Sequence, residues 1–155
     1  MVGAHHSVRE MWEALRQERD LDHNNFTSWH FADNKEAADE LLQLVLKGEK
    51  RATASLYLVY QFIEEPLPRV GDFSVVTDWE GRAGCIIEVT GVEIVPFNKV
   101  SAEFAFKEGE GDKSLSYWRR VHRDFFSRDL EQTAGQKFQE DMLVVCEEFE
   151  VVFPD

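Results

Sequence analysis

Two successive strand-like runs near the middle of the chain restrict the fold classes that it can adopt. The first run, DFSVVTDW, follows Gly71, and the second run is GCIIEVTGVEIVPF. The residues between them, Asp78–Gly81, have the composition of a hairpin turn. Gly91 either divides the second run into two strands or marks a bulge within one strand. Such a hairpin requires a sheet, and other elements must cover the apolar face of that sheet.

Helical segments precede the hairpin. Residues 8–19 and 37–45 carry apolar side chains at helical spacing. Gly48 follows the second segment and suits the position after a helix, because glycine adopts the left-handed conformation without a Cβ clash. Residues 51–56 then indicate a short strand, and YLVYQFIEE after them either extends this strand or forms a helical turn. We therefore expect two helices on the N-terminal side of the hairpin.

A third helix and a final strand region follow the hairpin. Asp112 or Ser114 caps a helix with Trp118 and His122 on its buried face, and the polar residues 127–140 indicate a linker. The last run, MLVVCEEFEVVF, is typical of one or two strands. The order of elements predicts an α+β fold with a mostly antiparallel, barrel-like sheet of about five or six strands and about three helices.

Size and charge exclude several classes of protein. The 155 residues suit one ordinary domain. The net charge of −13 argues against a protein that coats an extended duplex, but it leaves room for a local pocket for one nucleotide or a short single strand. No apolar run approaches the roughly 20 residues of a membrane span, and the N-terminus has no secretory apolar core, so we expect a cytoplasmic protein without a membrane partner. Cys85 and Cys146 lie in apolar runs and are expected to be buried thiols.

A lysine and a threonine follow the second helix with the spacing Gly48-x-Lys50-x-x-Thr53. An ammonium group here can bind an anion or, when desolvated, lose its proton and act as a base. The threonine hydroxyl becomes a nucleophile only when a neighbouring base takes its proton. Spacing alone favours an ordinary helix end, and the order of residues is not that of a P-loop.

An acidic loop with interspersed glycines is the second candidate site. It contains Glu108, Glu110 and Asp112, and such carboxylates can hold a metal ion or supply an acid–base pair. The spacing is not that of an EF-hand loop, and the residues alone favour a solvated acidic loop before a helix N-terminus. His122, on the helix that follows, is expected to be a packed, hydrogen-bonded histidine rather than a catalytic one.

Three segments in a fixed order resemble the ASCH domain family: ADELLQLVLKGEKRATASL, PLPRVGDFSVVTDWEGRAGCIIEVTGVEIVPF and EGEGDKSLSYWRRVHRDFF. The resemblance covers about residues 29–153. It implies a PUA-like fold, a small and mostly antiparallel β-barrel flanked by about three helices. We accordingly expect an N-terminal helix and connector at 1–28 and an ASCH domain at 29–155, packed together as one globular unit.

The resemblance also implies a cleft that binds RNA or nucleotides. One branch of the family is an amidohydrolase that removes the acetyl group from N4-acetylcytidine, using the motif lysine and threonine and a later glutamate. By this similarity Lys50, Thr53 and Glu110 are expected to be catalytic, with Glu108 as the second choice for the glutamate. Thr53 would attack the acyl carbonyl, a neutral and partly buried Lys50 would take its proton, and Glu110 would orient the lysine or protonate the leaving amine. The residues expected to bind substrate are Arg51, Ser55, Trp29, Tyr57, Glu108 and Arg119, and no metal or other cofactor is expected.

Two alternatives follow from the same resemblance. Another branch of the family is a ribonuclease that uses the motif lysine, and there Lys50 would stabilise charge that develops on a phosphate. A non-catalytic module would instead bind a nucleoside, a nucleotide or short single-stranded RNA. Its phosphate contacts would come from Lys50, Arg51 and either Arg119 or Arg123, and a base would stack on Trp29, Tyr57 or Tyr60.

Overall fold

The computed structural model describes residues 5–154. Five α-helices lie within these residues: α1 (His6–Glu18), α2 (Lys35–Leu46), α3 (Tyr57–Ile63), α4 (Ala102–Glu108) and α5 (Leu115–Ala134). The strands of the same range are β1 (Phe26–Trp29), β2 (Ala52–Leu56), β3 (Phe73–Thr77), β4 (Ala83–Pro96) and β5 (Leu143–Phe153). A short 3-10 helix, Phe97–Lys99, follows β4. Within 5–154, no helix combines the length and the apolar composition that a membrane crossing requires.

The strands form one mixed sheet in the order β1-β3-β4-β5-β2. β1 runs parallel to β3, whereas β3 with β4 and β2 with β5 are antiparallel pairs. The α+β prediction is confirmed, and the single strand β4 shows that Gly91 does not divide the second run. Two details of the prediction are wrong. The sheet is not closed into a barrel, because the short strands β1 and β2 are its edges, and the described residues contain five helices rather than about three.

The additional helices arise where the sequence pattern was ambiguous or weak. The run YLVYQFIEE forms α3 instead of extending β2. The segment before the acidic loop forms α4, whose first turn is capped by Ser101, because the hydroxyl of Ser101 accepts a hydrogen bond from the Phe104 N–H at 3.0 Å. α4 ends at Glu108, where Gly109 adopts the left-handed conformation with φ of 71°. This helix end determines where the acidic loop begins.

The helix α5 is longer than the sequence pattern indicated. Of the two predicted caps, Asp112 and Ser114, the structure selects Ser114, whose hydroxyl accepts a hydrogen bond from the Tyr117 N–H at 3.1 Å. The helix continues to Ala134, so the linker predicted at 127–140 is wrong over its first half. The buried side chains Phe126 and Leu130 continue the apolar face by further turns, which is the physical reason that the helix does not stop earlier.

The first of two compact units consists of three segments of the described chain: 5–49, 70–90 and 149–154. Trp12 of α1 is fully buried in it. The Trp12 ring stacks on Phe26 at a centroid distance of 4.6 Å, and its indole N–H donates to Asn24 Oδ1 at 3.0 Å. A second apolar cluster in this unit contains Phe31 and Val45. Cys85 is buried there, as predicted.

The second compact unit consists of residues 50–69 and 91–148. Its core is aromatic, with Phe97 placed 5.3 Å from the Trp118 ring and 6.2 Å from the Phe126 ring. The buried thiol prediction also holds for Cys146, which belongs to this core. Every candidate site residue named from the sequence lies in this unit except Trp29. The boundary expected between residues 28 and 29 stays a prediction.

Candidate functional site

Three side chains that can carry a charge at neutral pH are buried in the described part of the chain, namely Lys50, Glu108 and His122. They form one connected group with Glu110, and we call these four residues the Lys50 cluster. Placing charges inside a protein is costly unless each is paired and hydrogen-bonded. The contacts within the Lys50 cluster therefore decide what its members can do.

Lys50 lies between α2 and β2, and its side chain is 1% exposed. Its ammonium group donates to the carbonyl of Ala52 at 2.9 Å, to Glu108 Oε1 at 2.8 Å and to Glu110 Oε2 at 3.0 Å. The carbonyl oxygen of Glu108 is a further acceptor at 3.4 Å, so the acceptors around the ammonium outnumber its three N–H donors. The carbonyl of Ala52 belongs to the peptide that joins Ala52 to Thr53, and Lys50 is thereby anchored next to the backbone of Thr53.

The surroundings of Lys50 also determine its charge. Burial alone would lower the pKa of Lys50, because it removes the ammonium from water. The charges of Glu108 and Glu110 and their hydrogen bonds outweigh this effect and raise the pKa of Lys50. Lys50 is therefore an ammonium at neutral pH. The neutral, partly buried lysine base expected from the sequence is wrong on both counts.

Glu108 holds the centre of the Lys50 cluster, and its side chain is 1% exposed. Its Oε2 atom accepts a hydrogen bond from the indole N–H of Trp118 and lies 3.2 Å from Nε2 of His122. Burial opposes the ionisation of Glu108, but the charges of Lys50 and His122 outweigh burial and hold the pKa of Glu108 far below its usual range. The structure surrounds Glu108 with protein donors, and its expected role in substrate binding stays a prediction.

The position of Glu108 is fixed by the backbone on both sides of it. The carbonyl of Lys107 accepts a hydrogen bond from the N–H of Arg51 at 2.8 Å, which ties the last turn of α4 to the start of β2. On the other side, Gly109 ends the helix and turns the chain toward Glu110.

Glu110 is the most exposed carboxylate of the Lys50 cluster, with a side-chain exposure of 14%. Burial raises the pKa of Glu110, the negative charge of Glu108 adds to this effect, and the positive charge of Lys50 opposes it. The two glutamates thus differ in environment. Glu108 is enclosed and its pKa is lowered, whereas Glu110 has solvent access and a raised pKa, which suits a group that takes up and releases protons.

His122 was correctly predicted to be packed and hydrogen-bonded. Its ring stacks on Trp118 at a centroid distance of 4.2 Å, and its Nδ1 atom lies 2.9 Å from the Trp118 carbonyl oxygen. The sequence reasoning missed its contact with Glu108. The signal that could have found it is a tryptophan and a histidine four residues apart on one helix face, since both present N–H groups to the same neighbour.

Thr53 and Ser55 lie on the same face of β2, opposite the core-facing Ala52, Ala54 and Leu56. In the antiparallel pair with β5, Thr53 is opposite Glu147 and Ser55 is opposite Val145. Ser55 also hydrogen-bonds to the Tyr60 hydroxyl.

The other predicted substrate-binding residues differ in their surroundings, and their role stays a prediction. The side chain of Arg51 is exposed, and Tyr57 is half-buried at the start of α3. Arg119 donates to the Asn98 carbonyl at 3.4 Å, and neither arginine forms an ion pair with the Lys50 cluster in the described structure. Trp29 belongs to the first unit, where it packs edge to face on a phenylalanine.

Glu108, Glu110 and His122 offer ligand atoms that all lie within 4.8 Å of one another. Such a group resembles a metal site in composition, but the Lys50 ammonium bridges the two carboxylates and supplies the positive charge that a metal ion would supply. The Lys50 cluster is therefore an ion-pair network. The absence of a metal cofactor stays a prediction.

Two cavities lie in the second unit. One has a volume of about 250 Å³ and is lined by apolar and acidic residues: Ser55, Val59, Tyr60, Ile63, Glu65, Phe125 and Asp129. The other has a volume of about 200 Å³ and is lined by Gly91, Val92, Glu93, Phe104, Cys146 and Glu148. The first cavity borders the face of β2 that carries Thr53, because Ser55 shares that face.

Comparisons with known proteins agree with this structure. The family model described as the ASCH domain matches residues 27–153. The crystal structure of an ASCH domain from Lactobacillus crispatus JV V101 is 40% identical in sequence, covers 97% of this chain and 96% of its own, and superposes with a TM-score of 0.90. A protein from Enterococcus faecalis V583 is 38% identical, with coverage of 95% of this chain and 88% of its own and a TM-score of 0.88. A comparison with curated proteins finds no match.

These similarities extend over nearly the whole chain. The fold is accordingly PUA-like, as expected, and this architecture is associated with RNA binding. The family model and the two solved structures lead to the same assignment: the chain belongs to the ASCH domain family.

Proposed function

We propose that this chain is a metal-independent hydrolase of N-acylated nucleosides, such as N4-acetylcytidine. The observation that carries the proposal is the asymmetry of the two glutamates around Lys50. Glu108 is enclosed and ionised, whereas Glu110 is 14% exposed at its side chain and has a raised pKa. A partly exposed carboxyl group with a raised pKa is suited to general acid–base catalysis.

The reaction begins with Thr53 as the nucleophile. Its Oγ attacks the acyl carbonyl carbon of the substrate, and the Glu110 carboxylate takes the hydroxyl proton. Collapse of the tetrahedral intermediate breaks the bond between the carbonyl carbon and the exocyclic nitrogen, and Glu110 returns the proton to the leaving amine. A water molecule, deprotonated by Glu110, then attacks the threonine ester. The products are the free nucleoside and a carboxylic acid, and Thr53 recovers its proton.

Lys50 positions Glu110 in this scheme and does not act as the base. Its ammonium already donates to the Ala52 carbonyl and to both glutamates. These bonds hold the Glu110 carboxylate near the peptide that precedes Thr53, and the positive charge keeps Glu110 from becoming too basic. This arrangement also disfavours the ribonuclease and binding-module alternatives, because a lysine that is 1% exposed and fully bonded is poorly placed to grip a phosphate.

The 250 Å³ cavity next to Ser55 supports a nucleoside as the substrate. Phe125 and Tyr60 offer aromatic surface against which a base can pack. Glu65 and Asp129 make the same cavity acidic, which favours an uncharged nucleoside over a nucleotide with a phosphate.

To test the proposal, purified protein is incubated with N4-acetylcytidine, and the cytidine that is released is measured by chromatography. We expect Thr53→Val and Glu110→Gln each to reduce kcat by at least about 100-fold, the lower end of what a positioned acid–base group contributes. Glu103→Gln is the matched control, because Glu103 is an 80% exposed glutamate on α4, and it should retain wild-type activity. Turnover by the Thr53 and Glu110 variants at the wild-type rate would refute these roles.

Binding without turnover would identify a different function. If isothermal titration detects saturable binding of the nucleoside and no product forms with wild-type chain, the ASCH domain is a binding module and the hydrolase proposal fails.

A further inference from the structure

We infer that His122 is a doubly protonated imidazolium at neutral pH, and that its charge keeps Glu110 in the carboxylate form. His122 is then a positioning residue of the site, since it acts on the reacting carboxylate through Glu108 and does not touch the substrate. Its part in catalysis rests on the proposed function, whereas its charge and its effect on Glu110 do not.

The hydrogen-bond partners of the His122 ring lead to this inference. Nδ1 lies 2.9 Å from the carbonyl oxygen of Trp118, and a carbonyl oxygen only accepts hydrogen bonds. Nδ1 must therefore carry a proton. Nε2 lies 3.2 Å from Oε2 of Glu108, which is also an acceptor when the carboxyl group is ionised. Both ring nitrogens face acceptors, and only the imidazolium form donates from both.

The alternative is a neutral His122 whose bare Nε2 accepts a hydrogen bond from a protonated Glu108 carboxyl group. The other partners of Glu108 argue against it. Oε1 accepts a hydrogen bond from the Lys50 ammonium at 2.8 Å, and Oε2 accepts one from the indole N–H of Trp118. Both donors stabilise the carboxylate over the carboxylic acid, so the shared proton belongs on the histidine.

The groups around His122 are consistent with a cation. Glu108 faces it from the last turn of α4 and Glu110 from the loop that follows, with ligand atoms within 4.8 Å of one another. Lys50 is the other charged group of the Lys50 cluster. The remaining neighbours on α5 are rings: Trp118 stacks at 4.2 Å, and Phe126 lies edge-on at 5.5 Å. Burial would lower the pKa of His122, but the nearby carboxylates outweigh burial and raise it.

A positive charge on His122 makes the net charge of the Lys50 cluster zero. Lys50 and His122 then carry two positive charges opposite the two negative charges of Glu108 and Glu110. Without the histidine charge, two carboxylates would share one ammonium, and one of them would take up a proton. Glu110 is the one that would do so, because its pKa is already raised whereas that of Glu108 is held low. His122 thus determines whether Glu110 is ready to accept a proton from the nucleophile.

Nitrogen-15 NMR measures the charge of the ring directly. A variant with glutamine at the other four histidines, His5, His6, His23 and His30, leaves one imidazole to observe without replacing His122. We expect both ring nitrogens to show the similar chemical shifts of protonated nitrogens at pH 7. Two widely separated shifts, which mark a neutral ring with one bare nitrogen, would overturn the inference.

Carbon-13 NMR of the Glu110 carboxyl group measures the effect of that charge. In His122→Gln, the titration midpoint of Glu110 should move up by about one pH unit, because a positive charge within about 4–6 Å is lost. Trp118→Phe is the matched control, since it removes a donor to the same Glu108 oxygen without changing the charge, and the midpoint should move by less than half as much. An unchanged Glu110 midpoint in His122→Gln would overturn the positioning role.

The activity assay separates this inference from the proposed function. If the chain hydrolyses N4-acetylcytidine, the acidic limb of its pH–rate profile should move upward in His122→Gln by the same amount as the NMR midpoint, and an unmoved limb would contradict the role in catalysis. If the wild-type chain shows no hydrolysis while both NMR results hold, the hydrolase proposal fails and the charge of His122 is established on its own.

Discussion

Replacing Glu108 with glutamine should destabilise this protein severely, although the two side chains have nearly the same shape. The glutamate is 1% exposed and is shared by Lys50, His122 and the Trp118 indole. Glutamine removes its charge without creating a cavity. Lys50 and His122 would then share Glu110 as their carboxylate.

The size of the effect follows from this loss of pairing. Removal of one partner from a buried ion pair costs about 3–5 kcal/mol, because the other charge stays buried and uncompensated. In a chain of this length each kcal/mol corresponds to roughly 2–4 °C in Tm, so Glu108→Gln should lower Tm by about 6–20 °C.

Urea unfolding at pH 7, followed by tryptophan fluorescence and circular dichroism, measures the difference. Glu103→Gln serves as the control, because Glu103 lies on the same helix and pairs with Lys107 at the surface, where no resolvable change is expected. The double variant Lys50→Met with Glu108→Leu should be at least about 2 kcal/mol more stable than Glu108→Gln, since it removes both charges together. A Glu108→Gln protein within about 1 kcal/mol of wild type would show that the buried charge is not paired as described.

Other measurements address different parts of the structure. The pKa of His122 is raised in the folded state, so its contribution to stability is complete below the unfolded pKa of about 6.5 and is lost as the pH rises through the folded pKa. The free energy of unfolding should therefore fall between pH 6 and pH 9 in the wild type. In His122→Gln it should change less over the same range. Gly111→Ala should lower the free energy of unfolding by about 1–3 kcal/mol more than Gly135→Ala. Both glycines have a positive φ, but only a Cβ at position 111 would collide with a tyrosine ring. Equal losses of stability in the two variants would contradict this explanation. Burial raises the pKa of Cys85 and of Cys146 to about 12. Thiol reagents should therefore modify neither cysteine in native buffer and both cysteines in denaturant. Rapid labelling of the native protein would contradict the described packing of the core.

The elements with strong local signals could be predicted from the sequence. α2 could be predicted because its apolar periodicity and Gly48 both indicate a helix that ends just before residue 48. In the structure Gly48 has a φ of 78°. The start of α5 at Ser114 was recognisable for the same reason. Where the local signal was mixed, as in residues 57–65, packing against the rest of the fold decided between helix and strand.

The Lys50 cluster was predictable only in part. Resemblance to a family directed attention to Lys50 and Glu110, and the structure brings them to 3.0 Å. Their charges could not be predicted, because the pairing of Lys50 with Glu108 joins residues 58 positions apart in the chain. His122 illustrates the same limit, since helical spacing identified a buried histidine but gave no information on the carboxylate that faces it.

The length of the short helix α4 determines the direction in which the Glu108 side chain points. It is anchored at Ser101 by its cap, at Lys107 by the hydrogen bond from Arg51 and at Gly109 by the left-handed turn. A single residue inserted or deleted between the cap and the turn would rotate Glu108 by about 100° around the helix axis and point it away from Lys50. Homologous chains that keep the Lys50–Glu108 pair should therefore tolerate length variation in the loop after Glu110 but keep α4 at constant length.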